Sequence, residues 1–254
     1  MTTILTRRTL VTGAATGAGL LLSGCDKLIH NDTVRKIIYS EDGIHRSLQR
    51  ALSSHDSLAK EFSASEMSPV FRVNGSSDPD KPWYNAHVAN NFADWKLRVD
   101  GLVNRPLDIS LAQLKALPNR TQITRHDCVE GWSAIGKWQG PMLGNILKAV
   151  DVRNTARYLI VHCADDYHHT SPYYVSIDMF DAFHPQTILA WAMNGQPLTV
   201  AHGAPIRLRA ERHLGYKQAK YVMRIEATDK LEGHYGGHGG YWEDNVDYDS
   251  YAGI

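Results

Sequence analysis

The centre of the chain reads Arg125-His126-Asp127-Cys128-Val129-Glu130-Gly131-Trp132-Ser133, and Lys137-Trp138-Gln139-Gly140 follows shortly after. Cys128 lies at the predicted end of a strand, between two side chains that exchange protons, His126 and Glu130. A thiolate in such a setting acts as a nucleophile or as a soft metal ligand. No second cysteine stands at C-x-x-C spacing, which disfavours structural zinc. A buried cysteine without chemistry is the alternative, and these residues alone leave it open.

The sequence around this stretch predicts many short strands and a few short helices. Trp95 to Gly101 alternates apolar and polar residues as a strand does. Ser110 to Leu117 reads as a short helix with Ser110 as its cap, and Pro141 to Val150 as a helix with proline in its first turn. Further strands are predicted at Thr121 to His126, Tyr158 to Ala164, Ile188 to Met193, Pro205 to Arg209 and Lys220 to Glu226. Strands with irregularly placed helices predict an α+β fold, and neither a G-x-G-x-x-G motif nor a P-loop is present.

The cysteine stretch resembles a known motif. Cys-Val-Glu-Gly-Trp-Ser, then Trp-x-Gly and an apolar helix, is similar to the molybdenum-ligand motif of the sulfite oxidase family. The bacterial branch typified by the catalytic subunit of periplasmic methionine sulfoxide reductase is the most similar. The resemblance extends from about residue 90 to residue 248. Matching segments occur in the family's order at residues 97–103, 202–207, 215–217 and 241–243.

The resemblance implies a fold, a cofactor and a reaction. It implies a sulfite oxidase-like molybdopterin-binding fold, mostly β with short helices. It implies an oxidoreductase that uses molybdenum–molybdopterin, with the thiolate of Cys128 as the protein's ligand to the metal. Soft sulfur ligands suit a metal that cycles between two oxidation states, and the protein then supplies orientation and electrostatics.

Cofactor contacts follow from the same resemblance. Arg207 offers a rigid fork that suits the pterin phosphate, and Lys217 offers a point charge. The backbone of Gly215 and Tyr216 lies beside them in the family. Taken alone, Arg207 and Lys217 would be interpreted as solvated surface residues. Their assignment as cofactor contacts therefore depends on the matched segment.

Three more contacts are implied, and each has an alternative. Asn90 matches a pterin-contacting asparagine near the start of the family's domain. His202 stands where some relatives have asparagine, and either side chain can hydrogen-bond the pterin. Cys163 lies near a cofactor-contacting threonine of the family, although its strand favours a buried core cysteine. A disulfide between Cys128 and Cys163 is rejected, because it would remove the metal thiolate.

Glu130 is predicted to be catalytic, and the pocket around it indicates a substrate class. On a strand, Glu130 would share a face with Cys128 and could relay protons; a structural hydrogen-bond acceptor is the alternative. Trp132 and Trp138 are predicted to pack. The arginine cluster that binds sulfite in true sulfite oxidases does not follow Cys128. We therefore expect two-electron reduction of S- or N-oxides, of a small molecule or an oxidised side chain.

Two other functions stay open: a sulfite-type oxidase, and a lipid-anchored binding module that kept the fold and lost catalysis. The chain contains neither a haem-binding domain nor a cysteine cluster for iron–sulfur. Electrons are therefore expected from a haem-containing or quinone-linked protein of the membrane. Lys plus Arg and Asp plus Glu both number 27, so no net charge favours nucleic acid as a partner.

The start of the chain resembles an export signal. Arg7 and Arg8 precede a short apolar run from Leu10 to Leu22, which is typical of a twin-arginine signal. Leu22-Ser23-Gly24-Cys25 resembles a lipobox, so a lipid anchor on Cys25 is expected. A general secretory signal and a coincidental cysteine are the alternatives. The predicted location is the periplasm or cell envelope, with possible anchoring to the inner membrane.

Three regions are predicted: residues 1–25 as the signal with lipobox, 26–85 as an N-terminal lead-in, and 86–254 as the molybdopterin-binding oxidoreductase domain. Within the lead-in, Arg35 to Leu58 has helix-compatible spacing and Asn74 to Asp80 reads as a loop. His168-His169 and the Gly/His run from Gly233 to Gly240 are unusual. These histidines suggest either a second metal or, more simply, a polar loop.

Overall fold

The computed structural model describes residue 54 and residues 56–167, 171–246, 248–249 and 251–253. Residues 53–254 form one compact unit. The predicted export signal, the lipobox at Cys25, most of the helix-compatible stretch from Arg35 and the pair His168-His169 lie outside the described residues.

Strands dominate the described part of the chain. They are β1 (Lys96–Gly101), β2 (Leu107–Ser110), β3 (Asn119–Cys128), β4 (Trp132–Pro141), β5 (Tyr158–Tyr167), β6 (Ser171–Asp178), β7 (Ile188–Ala190), β8 (Ala192–Met193), β9 (Gln196–Pro197), β10 (Arg207–Arg209) and β11 (Val222–Thr228). The helices are α1 (Pro82–Ala89), α2 (Leu111–Ala116), α3 (Leu143–Ala149), α4 (Met179–Ala182) and α5 (Tyr241–Val246), with 3-10 turns at Ala64–Glu66, Val200–His202 and Gly215–Lys217. The prediction of a mostly β fold with short helices is confirmed.

The strands form three sheets. Five strands lie in the order β2-β1-β11-β5-β6, and four in the order β3-β4-β8-β9, while β7 pairs with β10. All pairings are antiparallel except β1 with β11, where Arg98 lies opposite Arg224. β11 follows β1 by more than a hundred residues, so local connectivity does not fix its direction. The parallel pairing therefore comes from tertiary packing.

Local sequence explains where α2 begins. The Ser110 hydroxyl accepts a hydrogen bond from the backbone amide of Gln113, and the side-chain oxygen of Gln113 accepts one from the backbone amide of Ser110. This reciprocal capping box satisfies two amide groups that a helix start leaves without partners. The predicted cap at Ser110 is confirmed.

Two boundaries differ from the prediction. Pro141 is the last residue of β4, and the helix begins at Leu143 after Met142. Proline is tolerated there because the end of a strand needs no further ladder donor. The single strand predicted over Ile188 to Met193 is two strands, β7 and β8, separated at Trp191, which lets each join a different sheet.

Of the four hydrophobic clusters among the described residues, two are a large one and a smaller one around Trp138. The large cluster packs the five-stranded sheet against α2 and α3, and it includes Trp95, Leu114 and Leu147. The smaller cluster surrounds Trp138 and includes Phe71 from the N-terminal stretch, with its ring centroid 5.2 Å from that of Trp138. Residues before 85 therefore contribute to the interior as well as to the surface.

Candidate active site

The β3–β4 hairpin delivers Cys128 to the candidate site. Cys128 pairs with Trp132 at the last position of the ladder, and three residues form the turn between them. Gly131 adopts φ of +85°, which a residue without a side chain accepts at little cost. Glu130 lies in this turn and not on a strand, so the predicted strand geometry for it was wrong. The turn nevertheless brings its carboxylate to the same cavity as the thiol.

A cavity of about 190 Å³ opens beside Cys128. Its walls come from the hairpin, the loop before α1, β5, β6, the turn at Gly215 and the C-terminal region. The lining residues are Asn74, Gly75, Ser76, Cys128, Val129, Glu130, Asp165, Tyr173, Gly215, Tyr216, Gln218, Lys220, Trp242 and Tyr248. Four of the predicted site residues therefore meet here: Cys128, Glu130, Gly215 and Tyr216.

The Cys128 thiol is half-buried, and burial raises its pKa, opposed in part by a hydrogen bond from the backbone near Glu130. It is a free thiol, as is Cys163. A neutral thiol must release its proton to bind a metal, so occupation of this position depends on pH. Glu130 accepts hydrogen bonds from the backbone of Gly75 at 3.2 Å and from the indole of Trp132 at 2.9 Å. Its carboxylate thus ties the hairpin turn to the loop above it.

Arg207 lies behind the cavity and is fully buried. Its guanidinium donates to the carbonyl oxygens of His202 at 3.3 Å and Gln218 at 3.1 Å, and it lies 5.1 Å from the ring centroid of Trp138. Its Nε has no hydrogen-bond partner among the described protein atoms. Desolvation lowers its pKa to about 9, with a further contribution from the nearby Arg209. Glu211 opposes that fall in pKa but pairs with Arg209, so Arg207 has no ion pair of its own among the described residues, and it does not line the cavity. A buried cation of this kind favours an anionic ligand.

The residues of the turn from Gly215 to Lys217 have two different surroundings. Gly215 and Tyr216 line the cavity, and the Tyr216 carbonyl accepts from the hydroxyl of Tyr173 at 2.7 Å. Lys217 is fully buried, forms an ion pair with Glu243 and does not line the cavity. The structure therefore gives Lys217 a protein partner, and its predicted contact with the cofactor stays a prediction.

Gly215 also permits close packing on the cysteine strand. A Cβ at this position would lie 2.6 Å from Nε2 of His126, which is fully buried. Nδ1 of His126 lies 3.0 Å from Arg209, and burial lowers the pKa of this imidazole well below its usual value. The imidazole of His126 is therefore neutral, and its contacts with Arg209 and Gly215 leave it little room to move.

We expect Gly215→Ala to lower the free energy of unfolding by about 1–3 kcal/mol, because the added methyl group must displace the ring of His126. Gly136→Ala is the control, since its Cβ would meet side-chain atoms of Phe71 at 3.1 Å that can shift. Urea unfolding of both variants measures the difference. A Gly215→Ala protein as stable as the wild type would contradict this account of the turn.

The remaining predicted contacts lie outside the lining. Asn90 ends α1, and its amide donates to Asp94 at 2.7 Å on the surface. His202 lies 2.9 Å from the hydroxyl of Thr199 and 3.2 Å from the carbonyl of Phe71, beside Arg207. Cys163 lies on β5, packs against the large core cluster and has a thiol pKa well above its usual value because it is buried. For these three residues the cofactor role stays a prediction.

Sequence reasoning missed Lys220 and Asp165. Lys220 is almost fully buried and donates to the carbonyls of Ser76 and Ala201, the latter at 3.0 Å; burial lowers its pKa to about 7. Asp165 is 4% exposed and also lines the cavity. The run Gly215-Tyr216-Lys217 pointed to the right region, yet no spacing rule distinguishes Lys220 from Lys217.

A family model described as "Oxidoreductase molybdopterin binding domain" matches residues 85–235, more than half of the chain. The chain belongs to this family. It is therefore a molybdopterin-binding oxidoreductase of the sulfite oxidase-like fold, and the resemblance deduced from the Cys128 motif is confirmed.

Individual relatives agree with this membership. A "putative protein-methionine-sulfoxide reductase subunit YedZ1" of Azospira oryzae is 36% identical over 94% of this chain and 84% of its own length. A "protein-methionine-sulfoxide reductase catalytic subunit MsrP" of Ralstonia nicotianae is 34% identical over 54% of this chain and 44% of its own length. The matched part thus spans less than half of that second protein. The sulfane dehydrogenase SoxCD of Paracoccus pantotrophus shares 24% identity, with a TM-score of 0.49 over 54% of this chain and 39% of its own.

The residues present fit the family's cofactor. Cys128 supplies a soft thiol at the cavity, and the buried guanidinium of Arg207 has one donor without a protein partner, as a site for a phosphate requires. Molybdopterin supplies the two-electron redox chemistry when bound, and Cys128 and Arg207 are the residues that would hold it.

Three further observations concern metal binding by protein side chains, the Gly/His run and membrane-spanning helices. Within the described residues, no group of three or more His, Cys, Asp or Glu side chains is placed to hold a metal ion by itself. The described part of the Gly/His run forms turns, in which His238 lies beside Asp244. No helix among the described residues is long and apolar enough to cross a membrane.

Proposed function

We propose that this oxidoreductase reduces S- or N-oxides, with oxidised methionine side chains of proteins as the leading substrate class. Electrons come from a haem-containing or quinone-linked protein of the membrane. The observation that carries the proposal is the charge of the cavity beside Cys128. Among the described residues that line it, Lys220 is the basic side chain and no arginine is present.

The charges of the cavity walls indicate a class of substrate. Sulfite is a small dianion, and burying it without several cations is costly. Lys220 is already committed to the carbonyls of Ser76 and Ala201, and the acidic side chains of Glu130 and Asp165 lie in the same walls. A neutral, polarised sulfoxide or N-oxide avoids that cost. Tyr173, Tyr216 and Trp242 add apolar ring surface that suits the carbon groups of such a substrate.

The residues of this chain then have separate tasks. Cys128 would bind the cofactor's metal from the cavity wall, and the buried guanidinium of Arg207 would bind its phosphate. Glu130 fixes the loop at Gly75 over the site, which limits access of water. The names of the Azospira and Ralstonia relatives, both given as methionine-sulfoxide reductase subunits, support the same substrate class.

A substrate panel tests the proposal. Molybdenum-loaded protein is mixed with reduced methyl viologen and, separately, with an aryl methyl sulfoxide, a methionine-sulfoxide peptide, trimethylamine N-oxide and, in an oxidase assay, sulfite. We expect turnover of the sulfoxides or the N-oxide and negligible oxidation of sulfite. Rapid sulfite turnover without oxide reduction would favour the sulfite-type oxidase instead. Absence of molybdenum after expression in a host that makes molybdopterin would favour the non-catalytic binding module.

We further propose export to the periplasm or cell envelope with a lipid on Cys25. Replacing Arg7 and Arg8 together by lysine is expected to leave the protein in the cytoplasm, because the twin-arginine route reads the guanidinium pair. Cys25→Ala should release exported protein from the membrane, because it removes the thiol that would carry the lipid. Fractionation and immunoblotting measure both. Normal export of the double lysine variant would indicate the general secretory route, and membrane retention of Cys25→Ala would contradict the lipobox.

The regional division into signal, lead-in and catalytic domain remains part of this proposal. Phe71 packs on Trp138, and Ser76 accepts hydrogen bonds from Lys220 and Tyr221, so the later part of the lead-in is attached to the catalytic domain. We propose that the earlier part serves as the tether between the anchor and this attachment.

A further inference from the structure

Asp165 occupies an irregular place on β5. The ladder between β5 and β6 shifts register between His162 and Asp166, so Asp165 lies within a bulge. Bulges re-aim side chains out of the alternating pattern, and here the carboxyl lines the cavity that also holds Cys128. Oδ1 of Asp165 is buried and has no hydrogen-bond partner among the described protein atoms. A buried carboxyl that lines a substrate-sized cavity and has one oxygen without a protein partner is available to a ligand.

The surroundings of Asp165 change the pKa of its carboxyl. Desolvation raises the pKa of Asp165 to about 6, and the ammonium of Lys220 opposes that rise. The other titratable or charged groups that act on it or feel its charge are Lys81, Tyr84, Cys163, Asp166, Tyr173 and Tyr221. A group of this kind holds its proton at mildly acidic pH and releases it near neutrality, which suits general acid catalysis.

We propose that Asp165 is the general acid of oxide reduction, donating a proton to the oxygen atom that leaves the substrate. This inference rests on the proposed function. For a sulfoxide, the sulfur–oxygen bond breaks, the sulfur keeps an electron pair, and the oxygen leaves as water. That conversion consumes two electrons from the membrane donor and two protons. Asp165 supplies one proton directly, solvent supplies the other, and solvent then reprotonates the carboxylate.

Three other polar side chains of the cavity are already engaged. Glu130 is exposed, and its two oxygens accept from Gly75 and Trp132. The hydroxyl of Tyr173 donates to the carbonyl of Tyr216, and burial raises its pKa well above the usual value. The ammonium of Lys220 is held by backbone carbonyls. Asp165 is the lining residue that combines a free oxygen, burial and a transferable proton.

The test compares Asp165→Asn with Asp166→Asn in the molybdenum-loaded protein. Asp166 is next in sequence but pairs with Lys81, so it is the matched control. For the wild type, we expect kcat/KM with an aryl methyl sulfoxide to be level below about pH 6 and to fall above it, because the protonated acid is then lost. Asp165→Asn should lower kcat/KM by about 100-fold at pH 6 and remove that fall. Asp166→Asn should keep the rate and move the fall slightly to lower pH, because it removes a like charge.

A second readout does not depend on turnover. Carboxyl-¹³C NMR of protein labelled at aspartate should show one resonance titrating near pH 6 that is missing in Asp165→Asn and present in Asp166→Asn. Molybdenum content should be unchanged in both variants. An unaltered rate and pH profile in Asp165→Asn, or a resonance titrating at an ordinary aspartate pKa, would overturn the inference. Failure of the wild type itself to reduce any oxide would instead refute the proposed function, and the inference with it.

Discussion

Replacing Cys128 by serine is expected to abolish oxide reduction and to weaken molybdenum binding while the domain still folds. An alcohol is a hard, weakly acidic ligand, whereas the reduced metal needs the soft, electron-rich sulfur that Cys128 offers at the cavity. Changes to groups that merely support a ligand cost about 10–100-fold in metal affinity or activity, so loss of the ligand should cost more. The half-buried position at the end of β3 tolerates serine, because the two side chains have nearly the same shape.

X-ray absorption at the molybdenum edge is the decisive measurement, because it counts sulfur ligands. The variant should show one sulfur fewer than the wild type in whatever metal remains bound. Cys163→Ser is the control, since its sulfur lies on β5 outside the cavity lining and should leave the count unchanged. An unchanged sulfur count in Cys128→Ser, or a lowered count in Cys163→Ser, would move the metal ligand away from Cys128.

The second large effect is expected at the buried ion pair of Lys217 and Glu243. Both side chains are essentially unexposed, at 0% and 1%. Lys217→Met leaves the carboxylate of Glu243 in the interior without its cation, and loss of one partner of such a pair costs about 3–5 kcal/mol. The free energy of unfolding, measured by urea denaturation, should fall by that amount. A loss below about 1 kcal/mol would show that the pair contributes little to stability.

A double variant separates the structural role of Lys217 from the predicted cofactor contact. Lys217→Met with Glu243→Leu removes both charges, and well-packed apolar replacements of buried pairs are often neutral. We therefore expect stability to return close to the wild-type value. If Lys217 acts only through Glu243, molybdenum content returns as well. If stability returns and molybdenum content does not, the lysine holds the cofactor, as the family resemblance implies.

Local patterns were sufficient wherever neighbours in sequence decide the structure. The alternation from Trp95 to Gly101 predicted β1, and Ser110 as a cap predicted the start of α2. Each of these two features depends on contacts within a few residues, so one sequence carries the information. The motif at Cys128, with further matching segments in the same order, predicted the family by resemblance.

Tertiary structure decided the features that depend on distant partners. Glu130 was predicted on the face of a strand, but the chain turns back at Gly131 so that Trp132 can pair with Cys128. Lys217 and Lys220 are three residues apart and chemically alike, yet one pairs with Glu243 and the other enters the cavity. Sequence spacing does not encode which buried anion or carbonyl each ammonium will meet.

The sequence by itself determined the family, the cofactor, the metal-ligand cysteine as a candidate and the mostly β fold. It did so because these follow from residue identity and short-range order. The structure alone placed Phe71 against Trp138, enclosed Arg207 without a counter-anion and turned Asp165 out of β5 into the cavity. Burial and pKa depend on every segment that surrounds a side chain, and those segments come from parts of the chain that are distant in sequence, as Phe71 is from Trp138.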